Sequence, residues 1–162
     1  MITAAIDIAR LFLDGYQSSK NHKVVTQRIC EAIHRELRLN AELTAEATKI
    51  FKKDPNLANA LLLRTQTQAF DALSISGMPL YEIFSEPWSV MEYSNFRYRN
   101  QFNTISTVGE LVERAYHRVR IQQVRSEIGQ TKDSRALGYL KVLVGKRHKR
   151  QATKSMIHRR HS

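Results

Sequence analysis

Apolar residues recur at helical spacing along most of this chain. Ile6, Ala9 and Leu13, flanked by Ile2 and Ala5, share one face, with Thr3 as a candidate cap and Gly15 as a stop. The polar stretch from Gln17 to His22 predicts a loop. From about Lys23, Val25, Ile29, Ile33 and Leu37 stand four residues apart and predict a second helix. Asn40 either ends that helix or sits within a longer one, because Leu43, Ala47, Ile50 and Phe51 carry an apolar stripe on to Lys53.

Asp54-Pro55 marks a restart, with Asp54 as N-cap and proline at the first helical position. One helix is expected from there through Leu57, Leu61, Leu62, Ala69, Ala72 and Leu73, closed by Gly77. Pro79 opens a short apolar turn with Leu80, Ile83 and Phe84. Pro87 introduces an aromatic run from Trp88 to Phe102, in which Tyr93 to Phe102 is the one stretch where a strand is conceivable. Phe96 and Phe102 are assigned to the core.

Thr107 and Glu110 have capping-box spacing: the hydroxyl can accept from the third helical N–H while the carboxylate reaches back. Val108, Leu111, Val112, Ala115, Tyr116 and Val119 then form one face, and Gly129 is placed to end the helix. Asp133 can cap a final helix with Leu137, Leu140 and Val144 inward, stopped by Gly145. The expected fold is an all-α, compact bundle of about six or seven helices over residues 1–145.

Composition adds a constraint. At 162 residues with 42% hydrophobic and 25% charged side chains, the chain can bury a core and is not disordered throughout. One cysteine, Cys30, excludes an internal disulfide framework and a Cys-rich zinc site. No apolar run reaches the roughly 18–20 residues of a membrane span. The segment from Met1 to Tyr16 lacks a basic n-region and a cleavage site, so it does not read as a signal peptide. A soluble, intracellular protein is expected.

Charge changes the picture most. The 26 Lys+Arg and 15 Asp+Glu give +11, but residues 1–113 hold 12 basic and 13 acidic side chains. Residues 114–162 hold 14 basic ones against Glu127 and Asp133 alone. Such asymmetry points to a polyanionic partner, because cations near phosphates displace condensed counterions. Residues 146–162 form a basic tail: Lys146, Arg147, Lys149, Arg150, Lys154, Arg159 and Arg160 accompany three histidines and no acid. With so little apolar content the tail is expected to be disordered when free.

Two further features could meet nucleic acid. At 100° per residue, Arg114, Arg118 and Arg125 fall within a sector of about 40°, so forked guanidiniums could track successive phosphates. The alternative is that they pair with Glu110 or Glu113, or lie along the neighbouring apolar face. Tyr98, between Arg97 and Arg99, is a candidate for base stacking.

Enzymatic motifs are scarce. There is no phosphate loop, no nucleophile elbow and no HExxH pair. Cys30 and His34 are four apart on a predicted helix and could form a thiolate–imidazole pair, although a buried structural cysteine is the commoner use of that pattern. Arg28 and His34 have the residue types and loose spacing with which some helical ribonucleases act on RNA, a spacing that also recurs by chance. His148, His158 and His161 sit among cations that oppose a divalent ion, so neither a metal nor another cofactor is expected.

The leading expectation is a non-enzymatic protein that binds DNA or RNA through phosphates with little sequence preference. A small subunit of a larger nucleoprotein assembly fits that reading, with the helical domain offering a protein-facing or oligomeric surface. The alternative is an interaction subunit whose basic tail docks on an acidic protein. A ribonuclease using Arg28 and His34 is the minor one, and no membrane partner is expected.

Overall fold

The structure is a computed structural model that describes residues 22–87, 100, 102–131, 137–141 and 143. The expected helix behind Thr3, the conceivable strand at Tyr93, Phe96, Tyr98, the Asp133 cap, Val144 and the whole basic tail lie outside these residues. Within them the chain is helical and has no strand, only an isolated bridge between Pro87 and Thr107. Five helices follow one another: α1 (His22–Ile50), α2 (Pro55–Leu62), α3 (Gln68–Ser76), α4 (Leu80–Ile83) and α5 (Val108–Glu127). Residues 137–141 are again helical. No described helix is long and apolar enough to cross a membrane.

Contacts divide the chain into two compact units, Met1–Ile33 with Thr67–Tyr116, and His34–Gln66 with His117–Ser162. In the first, Val25, Ile29 and Ile33 line the early part of α1 and are buried, as the four-residue spacing predicts. Phe70 of α3 stacks on Tyr116 of α5, with ring centroids 4.5 Å apart. Phe102 is buried, as are Val108, Leu111, Val112 and Ala115 on the inward side of α5.

The start of α5 shows how its backbone donors are satisfied. Val108 N–H donates to the Glu86 carbonyl and Gly109 N–H to that of Phe84. The next free donor, Glu110 N–H, goes to Thr107 Oγ1 at 3.2 Å, and Glu110 Oε2 accepts in return from Thr107 N–H. The capping box is therefore made as the spacing predicts. Gly109 has a separate reason to be glycine. A Cβ there would stand 3.3 Å from the Leu80 carbonyl oxygen, so the bare position lets the backbone of α4 approach closely without having to give by a few tenths of an ångström.

In the second unit, α1 does not end at Asn40. The helix runs on to Ile50, and its buried side continues through Leu37, Asn40, Thr44 and Ala47. Leu43, expected on that stripe, lies at its edge and is half-buried. Spacings of three, four and three keep the line straight, whereas Leu43 is rotated off it. Asp54 caps α2 through a 2.9 Å bond from Leu57 N–H, with Pro55 in the first turn. Ala58 and Leu62 turn inward to meet Ala47 and Leu137, with Ile50, Phe51 and Leu61 packed against them. Leu57, expected inward, is exposed.

One expected helix is in fact two. The chain leaves helical geometry after Leu62 and re-enters it at Gln68. Asn40 Nδ2 donates to the Gln66 carbonyl and Gln66 N–H donates to Asn40 Oδ1, both at 2.7 Å. Gln123 Nε2 donates to the Thr65 carbonyl at 2.6 Å, and Thr65 Oγ1 donates to the Leu62 carbonyl at the same distance. These side chains satisfy backbone groups that a continuous helix would have paired internally: Thr65 does so locally, and Asn40 and Gln123 do so as tertiary contacts. After it, α3 ends where expected, at Gly77 with φ +70°.

Candidate nucleic-acid interface

α5 is unbroken from Val108 to Glu127, the condition on which the arginine sector depends. It ends in a Schellman motif: Gly129 N–H donates to the Ser126 carbonyl and Gln130 N–H to that of Arg125, with Gly129 at φ +65°. Gln122 Nε2 donates to Thr131 Oγ1, which also lies 3.1 Å from Ser126 Oγ. All three residues are buried. This polar cluster fixes the inner side of the last two turns and sets which residues point outward.

The three arginines meet different surroundings. Arg114, in the first unit, is half-buried and donates from Nη1 to Thr104 Oγ1 at 3.2 Å. Its neighbour Glu110 is held by other donors, Ser106 N–H at 2.6 Å, Ser106 Oγ at 3.0 Å and Thr107 N–H at 3.2 Å. The Ser106 backbone bond is the main reason that the Glu110 carboxyl is held below the ordinary glutamate range, with the Ser106 hydroxyl and Thr107 N–H adding to it against a small opposing effect of burial. Arg118, in the second unit, is half-buried with its guanidinium 5.5 Å from the centroid of the buried Tyr139 ring. That geometry is a cation–π contact. Arg125 is exposed in the last turn, where a cation also suits the helix dipole. Two of the three are therefore partly used within the fold, but neither is neutralised by a described ion pair.

The ion pairs among the described residues are Arg38–Glu42 and Lys49–Glu46, both within α1 and both exposed. Such pairs contribute little to stability. Lys52, Lys53, Arg64, Arg125 and Lys141 are exposed, and none makes an ion pair among the described residues. Sequence reasoning missed Lys52, Lys53 and Arg64 because they fall in the part of the chain that is balanced overall. The folded units sort the charge differently. Described residues of the first unit carry three basic and six acidic side chains, those of the second ten and five. The basic excess thus includes residues 49–64 and does not begin at position 114.

The residues considered for catalysis lie along α1. Arg28 is exposed, and Cys30 and His34 are half-buried. Arg28 and His34 are six positions apart on a continuous helix, which separates them by about 120° around the axis. No group of three or more His, Cys, Asp or Glu able to hold a metal occurs among the described residues. No protein-family model, curated protein or solved structure matches the chain.

Proposed function

We propose that this chain is a non-enzymatic helical protein that binds nucleic acid through the phosphate backbone with little sequence preference, as a small subunit of a larger nucleoprotein assembly. The observation that carries the reading is the segregation of charge: exposed Lys52, Lys53, Arg64, Arg125 and Lys141 belong to one unit, whose described residues carry ten basic and five acidic side chains, and the sequence segment 146–162 is more basic still. Lys146, Arg147, Lys149, Arg150, Lys154, Arg159 and Arg160 of that segment add seven cations and no acid. Arg118 contributes its field although its guanidinium covers Tyr139, and Arg114 keeps donors beyond the one given to Thr104. Phosphate contacts of this kind position a protein on a strand without reading its sequence.

The test is a salt titration of the full chain against two labelled strands of unrelated sequence. Binding should weaken steeply as salt rises, alike for both. On duplex DNA, Lys52→Gln with Lys53→Gln should lower the slope of log K against log salt by about 0.9 for each phosphate no longer neutralised. Binding that ignores salt, or that one sequence alone supports, would overturn the proposal. So would RNA cleavage in the presence of a chelator that disappears in His34→Ala, since that outcome makes the chain an enzyme.

A further inference from the structure

The outer side of the last turns of α5 is apolar where a solvated helix would be polar. Ile121, Val124 and Ile128 are 42%, 55% and 59% exposed. At 100° per residue they fall within about 60°, on the side opposite Gln122 and Ser126. The strip has cations on both edges: Arg120 borders Val124, and Arg118 and Arg125 border Ile121. Among the described residues of α5, Glu127 is the one acid within a turn of the strip, on the Arg120 side, and His117 stands one turn above Ile121. All belong to the second unit. Because the Gln122–Ser126–Thr131 cluster and the Schellman turn fix the inner side, the strip is held outward rather than being exposed by fraying.

We propose that this face docks a helix of a partner protein whose apolar stripe is flanked by glutamates or aspartates. The spacing of three and then four is the knob pattern of a two-helix seam, with β-branched side chains at each position and arginines at the flanking positions that decide partner choice. The charge argues against the other occupants. A second copy would set arginines against arginines, which penalises self-pairing. Nucleic acid would meet aliphatic side chains that neither stack on bases nor bind phosphates. An acid-flanked helix satisfies both the strip and its borders. This surface goes beyond phosphate binding and can hold while that fails, or fail while that holds.

The test uses the full chain and a labelled synthetic three-heptad peptide with leucine at the seam positions and glutamate at the flanks. Two control peptides keep one feature each: serine at the seam with glutamate flanks, and leucine at the seam with lysine flanks. The Leu/Glu peptide should bind at least about tenfold more tightly than either control. The paired variant Ile121→Ser and Val124→Ser should lose that preference while keeping its thermal transition and its salt-dependent nucleic-acid binding, as should Val124→Ser alone to a smaller degree. Equal affinity for the two glutamate peptides would mean attraction by net charge alone and would overturn the proposal. A dimer in sedimentation that Val124→Ser dissociates would assign the face to a second copy and overturn it equally.

Discussion

Asn40 offers the sharpest test of how the second unit is held. It is 0% exposed, and its amide makes the two 2.7 Å bonds to the backbone of Gln66. Asn40→Leu keeps the number of side-chain heavy atoms and their branching and removes both. Each such bond is worth about 1 kcal/mol net, and a backbone group left without a partner costs a further 1–3 kcal/mol if water cannot reach it. Gln66 is itself exposed, so its freed groups are partly rehydrated, and the expected loss is about 2–4 kcal/mol. With an m-value of about 2 kcal/mol/M in urea, the unfolding midpoint should fall by about 1–2 M with no change of slope. Asn40→Asp separates the donor from the acceptor. A carboxylate can still accept from Gln66 N–H but faces the Gln66 carbonyl without a proton to donate. Its folded pKa is raised by burial and by that carbonyl, so stability should recover as pH falls and the protonated acid regains a donor. Far-UV circular dichroism during urea unfolding, at neutral and mildly acidic pH, reads both effects. A loss below about 0.5 kcal/mol for the leucine variant, or no acid recovery for the aspartate one, would refute the clamp as the cause of the break.

Two other substitutions probe the start of α5. Gly109→Ala would ordinarily favour a helix by about 1 kcal/mol, but its Cβ meets the Leu80 carbonyl oxygen at 3.3 Å, so thermal unfolding should show a net loss of about 1–2 kcal/mol; a stabilised variant would show that α4 yields easily. The Glu110 carboxyl, held low chiefly by the Ser106 N–H, stabilises the fold fully above the ordinary glutamate pKa and loses that effect as pH falls through its folded value. Glu110→Gln should flatten the acid side of the stability profile, and superimposable profiles for the two proteins would show that the cap contributes nothing there.

Local chemistry was legible in the sequence wherever the cause of a feature lies within a few residues of it. The Asp54-Pro55 start, the Thr107–Glu110 box and the glycine stops at 77 and 129 all depend on neighbours in the chain. The division of one expected helix at Leu63 to Thr67 was not read from the sequence, because Leu57 to Leu73 contains no glycine or proline and the polar run from Arg64 to Gln68 is also compatible with the solvent side of a helix. Its tertiary partners sit 26 and 58 positions away, at Asn40 and Gln123. Asn40 itself reads from sequence either as a helix end or as a residue within a longer helix, since a buried asparagine is recognisable only once its partner is in place. The candidate interface follows the same rule. Arg118 was visible as a cation, but not the Tyr139 ring beneath it, and Lys52 and Arg64 entered the basic set only through the folding that groups them with α5.

The turn from Leu63 to Thr67 also has a kinetic meaning. The Arg64 and Thr65 N–H groups bond locally to the Leu61 and Leu62 carbonyls, but the Thr65 carbonyl and both backbone groups of Gln66 take their partners from two distant helices and must wait for both. Its amide at Gln66 is therefore a reporter of assembly: proton exchange there should require the second unit to open, although the residue lies at the surface. Arg64, exposed in the same turn, gives trypsin a site that the clamp keeps out of the extended shape a protease needs. The rate of cleavage at Arg64 would then measure how often α1, α2 and α5 part company, which makes a surface loop the gauge of a buried junction.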